Sequence, residues 1–402
     1  MSKTPKLRFK EFSGDWEEKK LSNYTEKIIR KNKEFLVTNV ISNSSKNGLI
    51  SQRDFFDKDI ANQNNINGYY IVENGDFVYN PRKSIESPYG PVNRYNLKDT
   101  GVVSPLYLCF KINDKINGKF LEYYFKSSKW YRFIYQNSDQ GARHDRVNIK
   151  DSEFFKLNSK VPSLQEQEKI ASFLSLIDDK ISLQSDKVEA LKDYKKGIMQ
   201  KIFSRELRFK DDDGSDYPEW EVITIEKVAN LEKGFTPNTK NEKNWIGDVP
   251  WLSIADMKQG KYVSEVSKYI SNEALGKKAL VPKGTLIMSF KLTLGRLAII
   301  NRDLMTNEAI CHFYWRNKNI NTEYMYYYLS TSNIESFGCR AAKGITLNND
   351  SLNSIVVKLP VIKEQNKISD ILTKIDYKLQ KEQEKLDSLT EYKKGLLQQM
   401  FV

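Results

Sequence analysis

Side chains able to do covalent or metal chemistry are few and scattered along these 402 residues. The two histidines, His144 and His312, and the three cysteines, Cys109, Cys311 and Cys339, have no spacing that would gather them around a metal. The cysteines read as reduced thiols, and His312, inside the apolar run AICHFYW, reads as a core histidine. No G-x-x-x-x-G-K-S/T loop is present, since GKKALVPKGT from Gly276 has the wrong spacing and precedes a strand-like run rather than a helix. No glycine fingerprint for a nucleotide cofactor appears. Asn80-Pro81-Arg82 lacks the second proline and the aromatic of the Asn-Pro-Pro-aromatic motif of amino-group methyltransferases and reads as a turn. No residue is therefore expected to be catalytic, cofactor-binding or metal-binding.

What the chain offers instead is basic and amide side chains on glycine-punctuated loops. In the first half these are Lys46 and Asn47; Asn80, Arg82, Lys83 and Ser84; and Gln140, Arg143, His144 and Arg146. In the second they are Thr236, Asn238 and Lys240; Lys291, Thr293 and Arg296; and Arg340, Lys343 and Thr346. Arg and Lys pair with guanine edges, Asn and Gln with adenine, and all of them with phosphates. The bland reading of each is a solvated surface residue, but RKS after GDFVYN and KLT after GTLIMSF occupy the same place in the two halves. The formal charge of +12 has the same address. Residues 164–203 are net 0 and residues 361–402 net +1, so the basic excess lies outside these two stretches. DNA is the natural polyanion partner, against the alternative of a generally basic soluble protein.

The elements that must position these loops announce themselves by repetition. Lys160 to Phe203 returns at a constant offset of 198 as Lys358 to Phe401, aligning Glu166-Gln167 with Glu364-Gln365 and Lys195-Lys196-Gly197 with Lys393-Lys394-Gly395. Steps of four and three through Ile170, Leu174, Ile177, Ile181, Gln184, Val188, Leu191, Lys195, Ile198 and Ile202 form a heptad seam, matched by Ile368 to Met400. Polar interruptions fall at the same places, Gln184 with Glu382 and Lys195 with Lys393, as for groups that fix register. Pro162 and Pro360 precede the helices, and Ser163 with Glu166 has capping-box spacing. A helix from Ile170 to Ile202 spans roughly 50 Å, against about 34 Å per turn of B-DNA.

The repeat extends to short arms, Leu7-Arg8-Phe9-Lys10 matching Leu207-Arg208-Phe209-Lys210 and Trp16 matching Trp220. A closed repeat predicts that the N-terminal arm packs where the second helix ends, with the termini close. Between arm and helix lie lobes of about 130 to 140 residues, a normal domain size. FLVTNVIS, GYYIV, GDFVYN and VVSPLYLCFKI read as strands in the first, and VPWLSIADM, GTLIMSF, LGRLAII and AICHFYW in the second. FLEYYFKSSKWYRFIYQ from Phe120 reads as one aromatic helix, answered by EYMYYYLSTSNIESF from Glu323.

Arm, lobe, P-x-x-x-E-Q-x-x-I helix, arm, lobe and P-x-x-x-E-Q-x-x-I helix, with Lys-Lys-Gly near each helix end, resembles the specificity subunit of a type I restriction-modification enzyme. The resemblance covers essentially the whole chain through PSLQEQEKI, PVIKEQNKI, DYKKGIMQ, EYKKGLLQ and the GFTPN to VPWLSIADM section. It implies an α+β fold: two globular α/β target-recognition domains joined by two long helices forming an antiparallel coiled coil, with an internal pseudo-two-fold repeat. The expected boundaries are 1–160 for the first domain with its arm, 161–203 for the first spacer helix, 204–358 for the second domain and 359–402 for the second helix. It further implies a non-catalytic subunit that binds an asymmetric bipartite site on double-stranded DNA, with the helices setting the gap between the half-sites. Implied partners are two modification subunits, which use S-adenosylmethionine to methylate adenine, and restriction subunits, which use ATP and Mg; this chain would hold no cofactor. Glu166, Gln167, Glu364 and Gln365 at one helix end, and Lys195, Lys196, Lys393 and Lys394 at the other, are expected to contribute to packing or to docking of modification subunits. One departure stands out, because RKNKEFLVTN occupies the region where lobe two has Gly234, Thr236 and Pro237. With no signal pattern and no bilayer-spanning run, a cytoplasmic location without membrane contact is the expectation. The alternatives are an enzyme acting alone, which the missing motifs oppose, and a coiled-coil adaptor whose lobes bind protein rather than DNA.

Overall fold

The apolar runs of the first half become short strands because glycine, asparagine and proline interrupt them every few residues. The computed structural model describes residues 3–33, 35–52, 63–139, 145–291, 293–341 and 344–402. Two compact units emerge, Met1–Asp186 with Glu384–Val402, and Lys187–Gln383. The first half holds β1 (Glu17–Lys20), β2 (Thr25–Lys27), β3 (Val40–Ser44), β4 (Gly48–Ser51), β5 (Tyr70–Val72), β6 (Phe77–Tyr79), β7 (Val92–Arg94), β8 (Gly101–Val103) and β9 (Leu108–Ile112). They form two sheets, ordered β2-β9-β6-β7 and β4-β3-β8-β5. The central β6 and β8 are buried at every residue and so carry unbroken apolar runs, while the half-buried β3 alternates.

Two helices follow, α1 (Gly118–Lys126) and α2 (Tyr131–Asn137), where the sequence suggests one. The break falls at Ser127, whose Oγ donates to the Tyr124 carbonyl at 2.6 Å and so competes for the last turn of α1. Trp130 is thereby turned edge-on to Phe125, ring centroids 5.5 Å apart, deep in an aromatic core with Phe77, Phe110 and Phe154. Next come α3 (Asp151–Phe154) and β10 (Asn158–Val161), which pairs antiparallel with β1, and then α4 (Leu164–Phe203).

The second half repeats the plan with β11 (Glu221–Thr224), α5 (Ile225–Val228), β12 (Ala229–Lys233), β13 (Val249–Leu252), β14 (Tyr262–Val263), β15 (Lys268–Ile270), α6 (Asn272–Leu275) and β16 (Leu286–Ser289). It continues through β17 (Leu297–Ile300), β18 (Met305–Thr306), β19 (Ile310–Trp315), α7 (Thr322–Thr331), β20 (Cys339–Ala341), β21 (Gly344–Thr346), α8 (Asn349–Asn353), β22 (Val356–Leu359) and α9 (Ile362–Gln399). Its sheets run β12-β19-β16-β17-β14 and β15-β13-β18, and the β11–β22 ribbon answers β1–β10.

Registers convert this shared plan into residue correspondences. Thr25 faces Ile112 and Phe77 faces Phe110 in lobe one; Ala229 faces Trp315 and Leu286 faces Phe313 in lobe two. The parallel pairs β3 with β8 and β13 with β18 also correspond, Ile41 facing Val103 and Leu252 facing Thr306. Counting along the chain from these pairs matches Arg82 with Lys291, Ser84 with Thr293 and Asn43 with Ile254.

The heptad seam is buried or half-buried at every position named for α4, from Ile170 to Ile202. Within the second unit Lys187 pairs with Glu382 and Lys195 with Asp376, so partner numbers fall on α9 as they rise on α4 and the helices run antiparallel. Within the first unit Lys393 pairs with Asp178, the same contact displaced by the repeat. Tyr123 Oη donates to Asp178 at 2.7 Å, and Tyr327 Oη to Asp376 at 2.6 Å. Burial pushes the Asp178 carboxyl upward, but the hydrogen bonds from Lys393 and Tyr123 outweigh it and hold the group below the usual carboxylate range. The termini meet as expected: Leu7 N–H donates to the Gln399 carbonyl at 3.0 Å, and Phe401 packs 5.2 Å from Phe120. Among the described residues no helix is long and apolar enough to cross a membrane.

Candidate nucleic-acid interface

In lobe one the hairpin leaving β6 and the turn between β3 and β4 are drawn together by hydroxyls, Ser45 Oγ lying 2.8 Å from Ser84 Oγ. The turn itself is an ST-type loop, in which the Lys46 and Asn47 N–H groups donate to Ser44 Oγ at 3.3 and 3.2 Å. Asn80 spends its amide on the Asn43 carbonyl at 3.0 Å and accepts the Arg82 N–H at 3.0 Å, fixing where the hairpin turns away from the sheet. Arg82 then lies opposite Arg146 across an antiparallel bridge, flanked by Val147 N–H donating to the Pro81 carbonyl at 2.8 Å. Under these loops is a cavity of about 400 Å³ lined by Asn80, Arg82, Lys83, Ser84, Tyr107 and Arg146 among others. Burial raises the Tyr107 phenol, while a hydrogen bond at Asn43 and the charges of Arg146 and Arg82 oppose that rise. A second cavity, about 490 Å³, receives Lys46 and Asn47 on one side and Arg94, Lys126 and Trp130 on the other.

Seven of the expected lobe-one residues therefore converge: Lys46, Asn47, Asn80, Arg82, Lys83, Ser84 and Arg146. Gln140, Arg143 and His144 lie outside the described residues. Sequence reading missed Tyr107, Asn93 and Asn43, which is buried and takes the Asn93 amide at 2.6 Å. The signal was a lone amide on the inward-facing step of the alternating strand VISNS.

In lobe two Thr236 accepts the Asn307 amide at 3.0 Å, and Asn238 holds the Lys240 N–H at 3.0 Å and the Asn244 amide at 3.1 Å. The preceding Gly234 is required by close approach, since a Cβ there would stand 2.2 Å from the Thr306 carbonyl oxygen. Lys291 and Thr293 are exposed on the β16–β17 hairpin. Arg296 is committed inward, one guanidinium nitrogen donating to the Ile254 carbonyl at 3.2 Å. The backbones of Arg340 and Thr346 lie in the β20–β21 hairpin, and Lys343 falls outside the described residues. His312 is a core residue, its Nε2 2.6 Å from Thr306 Oγ1. Cys109 and Cys311 are buried free thiols, and burial pushes the Cys311 thiol to about 12.

The helix-end residues expected to serve packing or docking divide into two groups. Glu166 and Gln167 are buried: Glu166 takes two hydrogen bonds from Arg8 at 2.7 Å and the Trp16 indole at 3.2 Å, and Gln167 takes the Asn117 N–H at 2.7 Å. Glu364 and Gln365 repeat this with Arg208, Trp220 and Asn321. Their polar atoms are engaged inside their own units. Lys195 and Lys393 are likewise engaged with Asp376 and Asp178, whereas Lys196 and Lys394 are exposed.

The chain is a duplicated α+β fold, with arginine, lysine and asparagine gathered on the lobe-one loops, Lys291 exposed on the matching lobe-two hairpin, and long helices that run antiparallel in the second unit. Residues 13–193 and 217–391 both match the family described as type I restriction modification DNA specificity domain. The chain belongs to that family. It is 26% identical over 208 residues to the MjaIX specificity subunit of Methanocaldococcus jannaschii, covering 50% of this chain and 48% of that one. It is 23% identical over 292 residues to the MjaVIII specificity subunit of the same organism, covering 68% of each. The chain thus spans about half the length of the first relative and two thirds of the second. The S subunit of a type I restriction-modification system from M. genitalium shares its fold with a TM-score of 0.55, 17% identity and 99% coverage of both chains.

Proposed function

We propose that this chain is the sequence-specific DNA-recognition subunit of a type I restriction-modification complex, each lobe reading one half of an asymmetric bipartite site. Modification subunits supply adenine methylation from S-adenosylmethionine, restriction subunits supply ATP- and Mg-dependent translocation and cleavage, and this chain contributes no cofactor and no catalytic residue. The observation that carries the reading is the double family match, one copy over each lobe with its helix. The convergence of arginine, lysine and asparagine on the lobe-one loops supports it, because these side chains serve both phosphate and base-edge contacts. No observation favours the adaptor alternative. Footprinting of the chain in complex with its modification subunits should give two short protected blocks separated by an unread gap. A single continuous footprint, or indifference to sequence, would overturn the proposal.

A further inference from the structure

Taking each lobe as a DNA-recognition domain, we infer that Arg82 and Lys291 are one device in two settings: a cation that grips a backbone phosphate and carries no sequence information. Strand register places both three residues beyond matched positions, Tyr79 facing Leu108 and Met288 facing Cys311. Both are exposed, and among the described residues neither is neutralised by a carboxylate. Each leaves a hairpin pinned to the matching backbone carbonyl near the end of the neighbouring strand, β3 or β13, by a different side chain, Asn80 on Asn43 and Arg296 on Ile254. The platform is retained while its chemistry changes.

The charge is retained in the same way. Arginine offers a planar fork for bidentate pairing and lysine a compact point charge, so exchanging them at a base-reading position alters what is read. A phosphate accepts either. Two lobes with different loops read different bases, yet both must hold the same phosphodiester chain, and a position that keeps only its charge matches the shared requirement. Arg146 adds to the case in lobe one. It stands opposite Arg82 on one bridge, where like charges repel; Asp145, 3.9 Å from the Arg146 Nε, offsets this only in part, and an anion held there relieves the rest. Base reading then falls to the groups that differ between the lobes.

The test uses the full chain complexed with its modification subunits and two labelled duplexes. One carries the motif found by sequencing methylated sites in the host, and the other carries the same bases scrambled. Arg82→Ala and Lys291→Ala should each weaken both duplexes by the same several-fold factor and lower the slope of log K against log salt by about 1. The methylated motif should be unchanged, and Arg82→Lys should restore wild-type binding. Relaxation of the motif at one position, or a loss confined to the specific duplex, would make these residues base readers and overturn the inference while leaving the recognition function standing. An unchanged salt slope would also overturn it. A wild-type complex that binds both duplexes alike sinks the recognition reading itself, and this inference with it.

Discussion

At the scale of single residues, His312 shows how burial turns a titratable group into a stability term. Burial pushes its pKa from the ordinary 6.5 to about 4, with Nδ1 unpartnered and Nε2 against Thr306. The folded chain then binds fewer protons than the unfolded chain between those two values. Stability present above pH 6.5 is lost as pH falls toward 4, by about 3 kcal/mol in full. His312→Gln keeps a polar atom near Thr306 without the titration. Urea unfolding at pH 7.5 and pH 5 should show the wild type losing more stability than the variant, and parallel losses would refute the account. This residue was legible in advance because an isolated histidine in AICHFYW has no companion for chemistry. The candidate loops were legible by residue type only. Arg82, Lys83 and Arg146 could be named from the sequence, but Arg82 and Arg146 are 64 positions apart in the chain, and an isolated antiparallel bridge brings them together. The inward bond of Arg296 was not legible for a related reason, since nothing local reveals that its guanidinium turns to the Ile254 carbonyl.

At the scale of elements, each arm is latched to the start of a long helix by a buried carboxylate. Glu166 holds Arg8 through two bonds of 2.7 Å, whereas Glu364 reaches Arg208 at 3.4 Å and leaves Oε1 without a partner. Glu166→Ala strands a guanidinium and an indole and should cost about 3 kcal/mol. The weaker Glu364→Ala should cost about 1 to 2 kcal/mol. Denaturant unfolding checks the order, and limited proteolysis should cut the first arm earlier in the Glu166 variant; equal costs would contradict the geometry. The Glu-Gln pairs were visible in the sequence as a repeated motif, but their role was not. Ser163 and Glu166 looked like a reciprocal cap, and Ser163 Oγ does accept the Glu166 N–H at 3.4 Å. The Glu166 side chain instead leaves for Arg8, because a distant arm offers it a charged partner that the helix end cannot. The long helices were readable because seven-residue periodicity persists over many turns. The break at Ser127 was not, since the aromatic pattern continues through it.

At the scale of the molecule, the duplication has one physical consequence that a single experiment addresses. Leu7 N–H meets the Gln399 carbonyl at 3.0 Å, and Leu207 N–H meets the Lys201 carbonyl at 2.9 Å. The two bonds are the same contact in the two copies, but in the second the chain runs unbroken from helix to arm through Ser204, Arg205 and Glu206, and in the first the two partners lie at opposite ends of these 402 residues. Arg205 crosses the gap with φ of 68°, the left-handed conformation that glycine adopts most easily. Joining Val402 to Lys6 through a single glycine, and opening the chain between Ser204 and Glu206, therefore moves the break from one copy to the other while leaving both hydrogen bonds in place. The permuted chain lacks residues 1–5, and with them the Lys3 carbonyl that accepts the Trp16 N–H at 3.1 Å, a loss of about 1 kcal/mol; it should keep the helical circular-dichroism signal of the parent with a midpoint a few degrees lower. Its DNA preference, measured with the same modification subunits, should match the parent at both half-sites. A chain that unfolds on permutation would mean that the terminal strand of contacts in the first copy depends on a free end, and the equivalence of the two copies would fail at that point.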